Sequence, residues 1–167
     1  AVVYLSKNQD KNMMGHNARA MAKIAFYQEQ YPEAIAALEQ VRAQDQGNEG
    51  YFFRIDDGQA TLQLAYAYQQ NDQLDKASAL ISQFEQFLQN GVSKSANRPS
   101  YYYNMAQIKL LQRNKDESLY YLQGAIDAGW LQMWKTKIEP YFALINLDTR
   151  FAQMMGGIEA RLAVMRT

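Results

Sequence analysis

Three pairs of short helices recur along this chain, and small residues mark matched positions in every pair. The positions fall once in each first helix and once in each second helix: Ala22, Ala65 and Ala106, then Ala34, Ala77 and Ser118. The two marks of a pair are 12 residues apart, and the pairs follow at steps of 43 and 41 residues. Because a small side chain lets two helix backbones approach closely, the pattern predicts helical hairpins that stack on one another.

Apolar residues within each pair recur at three- and four-residue intervals, which is the spacing of an amphipathic helix. The predicted hairpins cover residues 12–45, 59–90 and 99–128. Residues 1–11 are expected to be a lead-in or the end of a preceding helix, and residues 129–167 a helical cap. The predicted fold is therefore all-α, with about three divergent repeats.

The tail is expected to cover the apolar face that an open stack leaves at its end. Trp130 and Trp134 are one turn apart and could lie on the second helix of the third hairpin, which Asp116 is expected to cap. Asp148 is expected to cap a last helix over residues 149–166. One side of this helix is predicted to carry Phe151, Met154, Met155, Ile158, Leu162 and Met165.

Composition argues against several classes of function. Lys and Arg together number 17, as do Asp and Glu, and this balance disfavours electrostatic binding of nucleic acid. Cysteine is absent, so the chain has no disulfide and no thiolate metal site. No apolar run approaches the roughly 18 residues that span a bilayer. The chain begins with Ala1 rather than Met, which we read as a piece of a longer protein or a processed product.

Residues that could carry chemistry have simpler interpretations. His16 is the only histidine and has no second ligand near it. Asp56 and Asp57 are interpreted as a helix cap and a solvated acid. Gly156-Gly157 lacks the Lys-Ser/Thr of a phosphate-binding loop and is interpreted as close packing or a kink. We therefore predict no catalytic residue, no metal and no cofactor.

The matched small residues and the helix pairing resemble the tetratricopeptide repeat over about residues 12–128. That repeat is about 34 residues long, so each step here carries an additional loop. The resemblance implies a solenoid whose first helices line a concave groove, with the tail as a helical cap.

The tail also resembles the end of repeat domains in bacterial winged-helix transcriptional regulators and adenylate-cyclase-like proteins. The likeness lies in Gly129-Trp130 and in Leu147-Asp148-Thr149-Arg150-Phe151, where those domains tend to read Asp-Pro-Arg-Phe. It implies a module of a larger bacterial regulatory protein. That module would face the periplasm or the cytoplasm, depending on what precedes it.

In such a solenoid, the non-packing side of the first helices holds the partner. By register, the candidate contacts are Arg19, Lys23, Phe26, Tyr27, Gln59, Gln63, Tyr66, Gln70, Tyr103, Asn104 and Gln107. Tyrosine and arginine are frequent in binding hot spots, and side-chain amides can pair with a peptide backbone. The sequence thus predicts a non-catalytic module that binds a peptide or protein partner, with a homo-oligomer also possible.

Two alternatives stay open at this point. The first is a regulatory domain that holds a small ligand between repeats, near Tyr66 and Tyr103; the second is a structural or oligomerising piece. If both tyrosines lie in an open groove, replacing them with alanine should leave thermal unfolding nearly unchanged while weakening partner binding.

Overall fold

The structure is a computed structural model that describes residues 17–44, 52–54, 58–92 and 99–165. Within these ranges the regular structure is helical and no strand is present, which confirms the predicted all-α class. Predictions made for residues 1–11, His16 and Asp56–Asp57 lie outside the described residues. Over the described part of the chain, no helix combines the length and apolar character needed to cross a membrane.

The described residues form eight α-helices. They are α1 over residues 17–27, α2 Tyr31–Gln44, α3 Gln59–Gln70, α4 Leu74–Val92, α5 Pro99–Leu111, α6 Lys115–Asp127, α7 Trp134–Ile138 and α8 Thr149–Val164. A 3-10 segment, Pro140–Leu144, lies between α7 and α8. The chain divides into two compact units, Ala1–Phe84 and Glu85–Thr167, and the division falls inside α4.

One type of turn joins the two helices of every hairpin. Its left-handed residue is Glu29, Asp72 and Arg113 in turn, with φ of 59°, 55° and 62°. The next amide donates to the carbonyl five residues earlier: Gln30 to Ala25 at 2.9 Å, Gln73 to Tyr68 at 2.9 Å, and Asn114 to Lys109 at 2.8 Å. These bonds complete Schellman motifs. The turns are 43 and 41 residues apart, the same steps as the small residues in the sequence.

The small residues occupy equivalent buried positions in the three hairpins. Their exposed fractions are 0–1%: Ala22, Ala65, Ala106, Ala34, Ala77 and Ser118. In the second helices, their amides make the same bond to the residue after the turn: Ala34 to Gln30 at 2.9 Å, Ala77 to Gln73 at 3.0 Å, and Ser118 to Asn114 at 3.1 Å. The sequence period is therefore also the period of the backbone structure.

The N-cap of α6 differs from the prediction. Asn114 is the cap, and its Oδ1 accepts a hydrogen bond from the amide of Glu117 at 3.2 Å. The prediction of Asp116 is wrong because the helix begins at Lys115, and Asp116 therefore lies inside its first turn. The predicted cap of α8 is correct, since Asp148 Oδ1 accepts from the amide of Arg150 at 2.9 Å.

The tail departs from the predicted helix α6 before its first tryptophan. The helix ends at Asp127, and Gly129 follows with φ of 98°, a conformation that glycine adopts without strain. Trp130 therefore lies beyond the helix, where it is buried, and Trp134 opens α7 with 56% of its surface exposed. Placing both residues on α6 is wrong.

The last helix is only partly buried. Phe151 and Ile158 are the buried residues of α8, whereas Met165, which lies beyond the end of the helix, is 72% exposed. A Cβ atom built on Gly156 or Gly157 meets nothing within 4 Å. The expected close packing of these two glycines is therefore absent, and α8 continues through both.

Candidate binding faces of the two units

In the first unit, the predicted contacts of α1 and α3 lie side by side. Gln63 on α3 donates its Nε2 hydrogen to the hydroxyl of Tyr27 on α1, with 3.1 Å between the two atoms. The ring of Phe26 lies edge-on to that of Tyr66, with 5.9 Å between centroids. The hydrogen bond and the ring pair thus bring together residues of α1 and α3 that the sequence predicted to share one face.

Aromatic rings form the base of this region. Phe26 is buried, and its centroid lies 5.3 Å from that of Tyr27 and 6.3 Å from that of Tyr31. Tyr31 and Tyr66 are 6.0 Å apart in a T-shaped arrangement. Burial, together with the neighbouring Tyr66 hydroxyl, raises the pKa of Tyr31 to about 12. Edge-to-face ring pairs of this kind stabilise a defined geometry.

The predicted residues of the first unit divide into a supporting and an accessible set. Phe26 and Gln63 are 1% exposed, so their predicted role as direct partner contacts is wrong: the ring cluster encloses one, and the Tyr27 bond engages the other. The remaining residues stay wholly or partly accessible, and we name them the tyrosine face: Arg19, Lys23, Tyr27, Gln59, Tyr66 and Gln70. Tyr27 is an exposed aromatic side chain of this face, at 44%.

In the second unit, all three predicted contacts are buried. Tyr103, Asn104 and Gln107 are at most 4% exposed on α5. The Tyr103 ring stacks on that of Trp130, with 4.5 Å between centroids and 20° between planes, and lies 6.0 Å from Phe142 at 13°. The prediction that these residues line an open groove is therefore wrong, because residues of the tail cover them.

A buried hydrogen-bond network links α5 to the tail. The hydroxyl of Tyr141 donates to Gln107 Oε1 at 2.6 Å, the shortest side-chain contact of this region. The amide nitrogen of Gln107 lies 3.3 Å from both Asn104 Oδ1 and the Tyr103 carbonyl oxygen. Gln107 thus uses both ends of its amide inside the protein, where an unmade hydrogen bond would be costly.

The predicted contact residues of α3 in the first unit and of α5 in the second unit occupy equivalent positions. Gln63 and Asn104 each stand two residues before the small residue of the helix, and Tyr66 and Gln107 each stand one residue after it. Tail residues fill the face of α5, while the corresponding face of α3 keeps Tyr66 half-buried.

Sequence reasoning missed the tail residues that cover α5. The sequence predicts only that Pro140-Tyr141-Phe142 belongs to a helical cap. It does not predict a hydrogen-bond partner for the hydroxyl of Tyr141. Trp130 and Phe142 are apolar, and this predicts that they are buried. It does not predict which helix they pack against. The pairing of Tyr141 with Gln107 spans 34 residues, and no local pattern encodes it.

The described residues contain no cluster of three or more histidine, cysteine, aspartate or glutamate side chains able to hold a metal ion. Comparison with protein-family models, curated proteins and solved structures finds no match to this chain.

Proposed function

We propose that the chain is a tetratricopeptide-like, non-catalytic binding module that holds a peptide segment of a protein partner on the tyrosine face of its first unit. The observation that carries the proposal is the Gln63–Tyr27 hydrogen bond at 3.1 Å, which fixes an exposed tyrosine between two helices. A tyrosine held in this way presents a large apolar surface and a hydroxyl at little cost in conformational entropy.

The chemistry of the tyrosine face favours an extended, acidic peptide. Arg19 and Lys23 lie one turn apart and then Tyr27 one further turn along α1, so two cations flank one end of the aromatic surface. Gln59 and Gln70 add amides on α3 that can pair with peptide backbone groups. Opposite charge on the peptide would raise the association rate and fix its direction.

The likeness of the tail to bacterial regulators supports a place for this module in a larger regulatory protein. In that setting, peptide binding would report the presence of a partner to the rest of the protein. The fold class and the repeated hairpin turns support the tetratricopeptide-like part of the proposal.

The test is selection of a random peptide library on the purified chain, followed by fluorescence polarisation with one selected peptide. We expect Asp and Glu to be enriched among the selected sequences. Tyr27→Ala should weaken binding by about tenfold, as for a moderate hot spot. Lys23→Glu should weaken it and reduce its dependence on salt.

Leu147→Ala is the control, because Leu147 is also an exposed large side chain, at 99%, but belongs to the second unit. It should bind the peptide as the wild type does. Circular dichroism must show the wild-type helix content in every variant. Equal binding by Tyr27→Ala and the wild type, or selection of basic peptides, would contradict the proposal.

A second candidate function, self-association, is favoured by apolar side chains on the tail. Trp134 and Ile138 are one turn apart on α7 and are 56% and 44% exposed. Sedimentation velocity over a range of concentrations tests it. A dimer in the wild type that is lost in Trp134→Lys would support this role, and a monomer throughout would exclude it over that range.

A further inference from the structure

An open cleft of about 620 Å³ lies on the third hairpin, and its lining residues include none of those that the sequence assigned to binding. Its lining comes from α5, α6 and the residue that follows α6: Tyr102, Tyr120, Gln123, Gly124, Asp127 and Ala128. This volume falls within the range of ordinary small-molecule sites, about 300–1,000 Å³.

The wall of the cleft depends on a glycine inside a helix. A Cβ atom at Gly124 would lie 2.9 Å from Cδ1 of Tyr102 and 3.3 Å from its Cε1. The Tyr102 ring therefore packs directly on the α6 backbone. Any other residue at position 124 would force the ring or the backbone to move. Glycine in a helix interior costs roughly 1 kcal/mol relative to alanine. The close approach of the ring offsets part of that cost.

The other side chains of the cleft are also held in place. Tyr120 packs edge-on against Tyr121, with 5.4 Å between centroids and 77° between planes. Gln123 donates its Nε2 hydrogen to Asp127 Oδ1 at 2.8 Å, which orients the carboxylate. Two phenol rings and one carboxylate thus line a single cleft.

The electrostatic character of the cleft favours a cation. Asp127 is the charged lining residue, and it stands in the last turn of α6, where the helix dipole is negative. Arg161 donates to the carbonyl of Ile126 at 3.2 Å on the same helix end, but it does not line the cleft. Tyrosine faces attract cations through their ring quadrupole.

We propose that this cleft binds a small organic cation, an alkylated ammonium compound held by the rings of Tyr102 and Tyr120 and by the carboxylate of Asp127. This binding is separate from the peptide binding proposed for the first unit. The two proposals can therefore fail independently.

The experiment is an NMR titration of the isotope-labelled chain with choline and, separately, with its neutral analogue 3,3-dimethylbutan-1-ol. Choline should give saturable shifts at the backbone amide of Gly124 and the side-chain amide of Gln123. The neutral compound should give none that saturate. Equal responses to both compounds, or no saturable shift with choline, would overturn the proposal.

Variants locate the interaction. Asp127→Asn should weaken choline binding about fivefold, and Tyr120→Ala about two- to fivefold, with binding restored in Tyr120→Phe. Glu159→Gln, the same loss of one charge at an exposed residue of α8, is the control and should bind normally. Wild-type affinity in Asp127→Asn would overturn the assignment.

A third ligand separates a free cation from a lysine side chain of a partner. Nα-acetyl-lysine methylamide carries the same type of charge on a peptide-like backbone. It should bind more weakly than choline, because a primary ammonium is more strongly hydrated than a quaternary one. Tighter binding of the lysine compound would overturn the small-cation assignment.

Discussion

Each unit carries a glutamine on one of its first helices that forms a hydrogen bond with a tyrosine hydroxyl, and the two tyrosines differ in burial. In the first unit, Gln63 bonds to Tyr27, and this hydroxyl belongs to a side chain that is 44% exposed. In the second unit, Gln107 bonds to Tyr141, which is 1% exposed. The same amide–phenol pairing thus supports a surface in one unit and completes a core in the other.

The difference teaches that an amide-rich helix face does not by itself define a binding groove. The face of α5 is satisfied by the chain's own Tyr141, Trp130 and Phe142, which leave Tyr103 at 3% exposure. Among the described residues, Tyr27 of the tyrosine face is 44% exposed. The proposed peptide site lies in the first unit for this reason, and we expect substitutions in the two faces to have different consequences.

The largest expected effect separates the two tyrosines directly. Tyr141→Ala should lower the free energy of unfolding by about 3–5 kcal/mol, as for other buried aromatic residues. Tyr27→Ala should cost about 1 kcal/mol or less, because much of its surface is already in water. Both tryptophans, Trp130 and Trp134, lie in the second unit, so their fluorescence during urea denaturation reports that unit.

Circular dichroism in the same urea series follows both units together. Equal destabilisation by the two alanine variants would break the comparison. From the sequence, replacing Tyr103 with alanine was expected to leave thermal unfolding nearly unchanged. The structure predicts a lower melting temperature instead, because Tyr103→Ala would remove a stacked ring from the core.

Removing only the hydroxyl should give the next largest effect. Tyr141→Phe leaves Gln107 Oε1 without its 2.6 Å partner and should cost about 1–3 kcal/mol, the penalty for a buried unsatisfied polar atom. Tyr27→Phe also removes the acceptor of Gln63 Nε2, and it should cost less, about 0.5–1 kcal/mol, because Tyr27 is 44% exposed. Denaturation midpoints at constant m-value test the pair. An unchanged free energy of unfolding in Tyr141→Phe would show that the Tyr141–Gln107 hydrogen bond contributes no net stability.

Two ion pairs extend the contrast and add a dependence on pH. Lys109 Nζ lies 2.8 Å from Glu85 Oε1 in the second unit, and their side chains are 13% and 18% exposed. In the first unit, Lys76 and Glu39 are 3.4 Å apart and far more exposed, at 58% and 44%. Glu85→Gln should cost about 1–2 kcal/mol, and Lys76→Gln about 0–1 kcal/mol.

The pKa of Glu85 sets the pH window. Burial alone would raise this pKa, but hydrogen bonds from Lys109 and Gln112 hold it below its ordinary value of 4.5. The contribution of Glu85 is therefore complete above pH 4.5 and is lost as pH falls through the depressed folded value. Melting temperatures of the wild type and Glu85→Gln should converge on acidification. A difference that persists unchanged at pH 2 would contradict this.

The smallest effect should be alike in both units. Glu29 and Arg113 adopt left-handed conformations in equivalent turns, and a glycine there avoids the steric strain of a side chain. Glu29→Gly and Arg113→Gly should each stabilise by about 0.5–1 kcal/mol. Hydrogen exchange of amides in the affected unit measures each effect. A stabilisation in only one turn would show that the hairpins differ in more than their exposed faces.

Much of the fold follows from local patterns. The spacing of apolar residues predicted the helices, and α3 begins at residue 59, where the sequence placed the start of the second hairpin. The matched small residues predicted a period that the hairpin turns repeat, because both depend on interactions within a few residues. Helix ends were also largely readable, although Asn114 rather than Asp116 caps α6.

The sequence by itself determined the helices and the period at which small residues and hairpin turns recur, since these follow from short-range spacing and hydrogen bonding. Only the tertiary structure decided which first-helix faces remain accessible. That decision depends on where the tail lies, and the contact between Gln107 and Tyr141 joins residues with no local relationship. Burial is a property of the assembled chain, so identical side chains on α3 and α5 could acquire different roles.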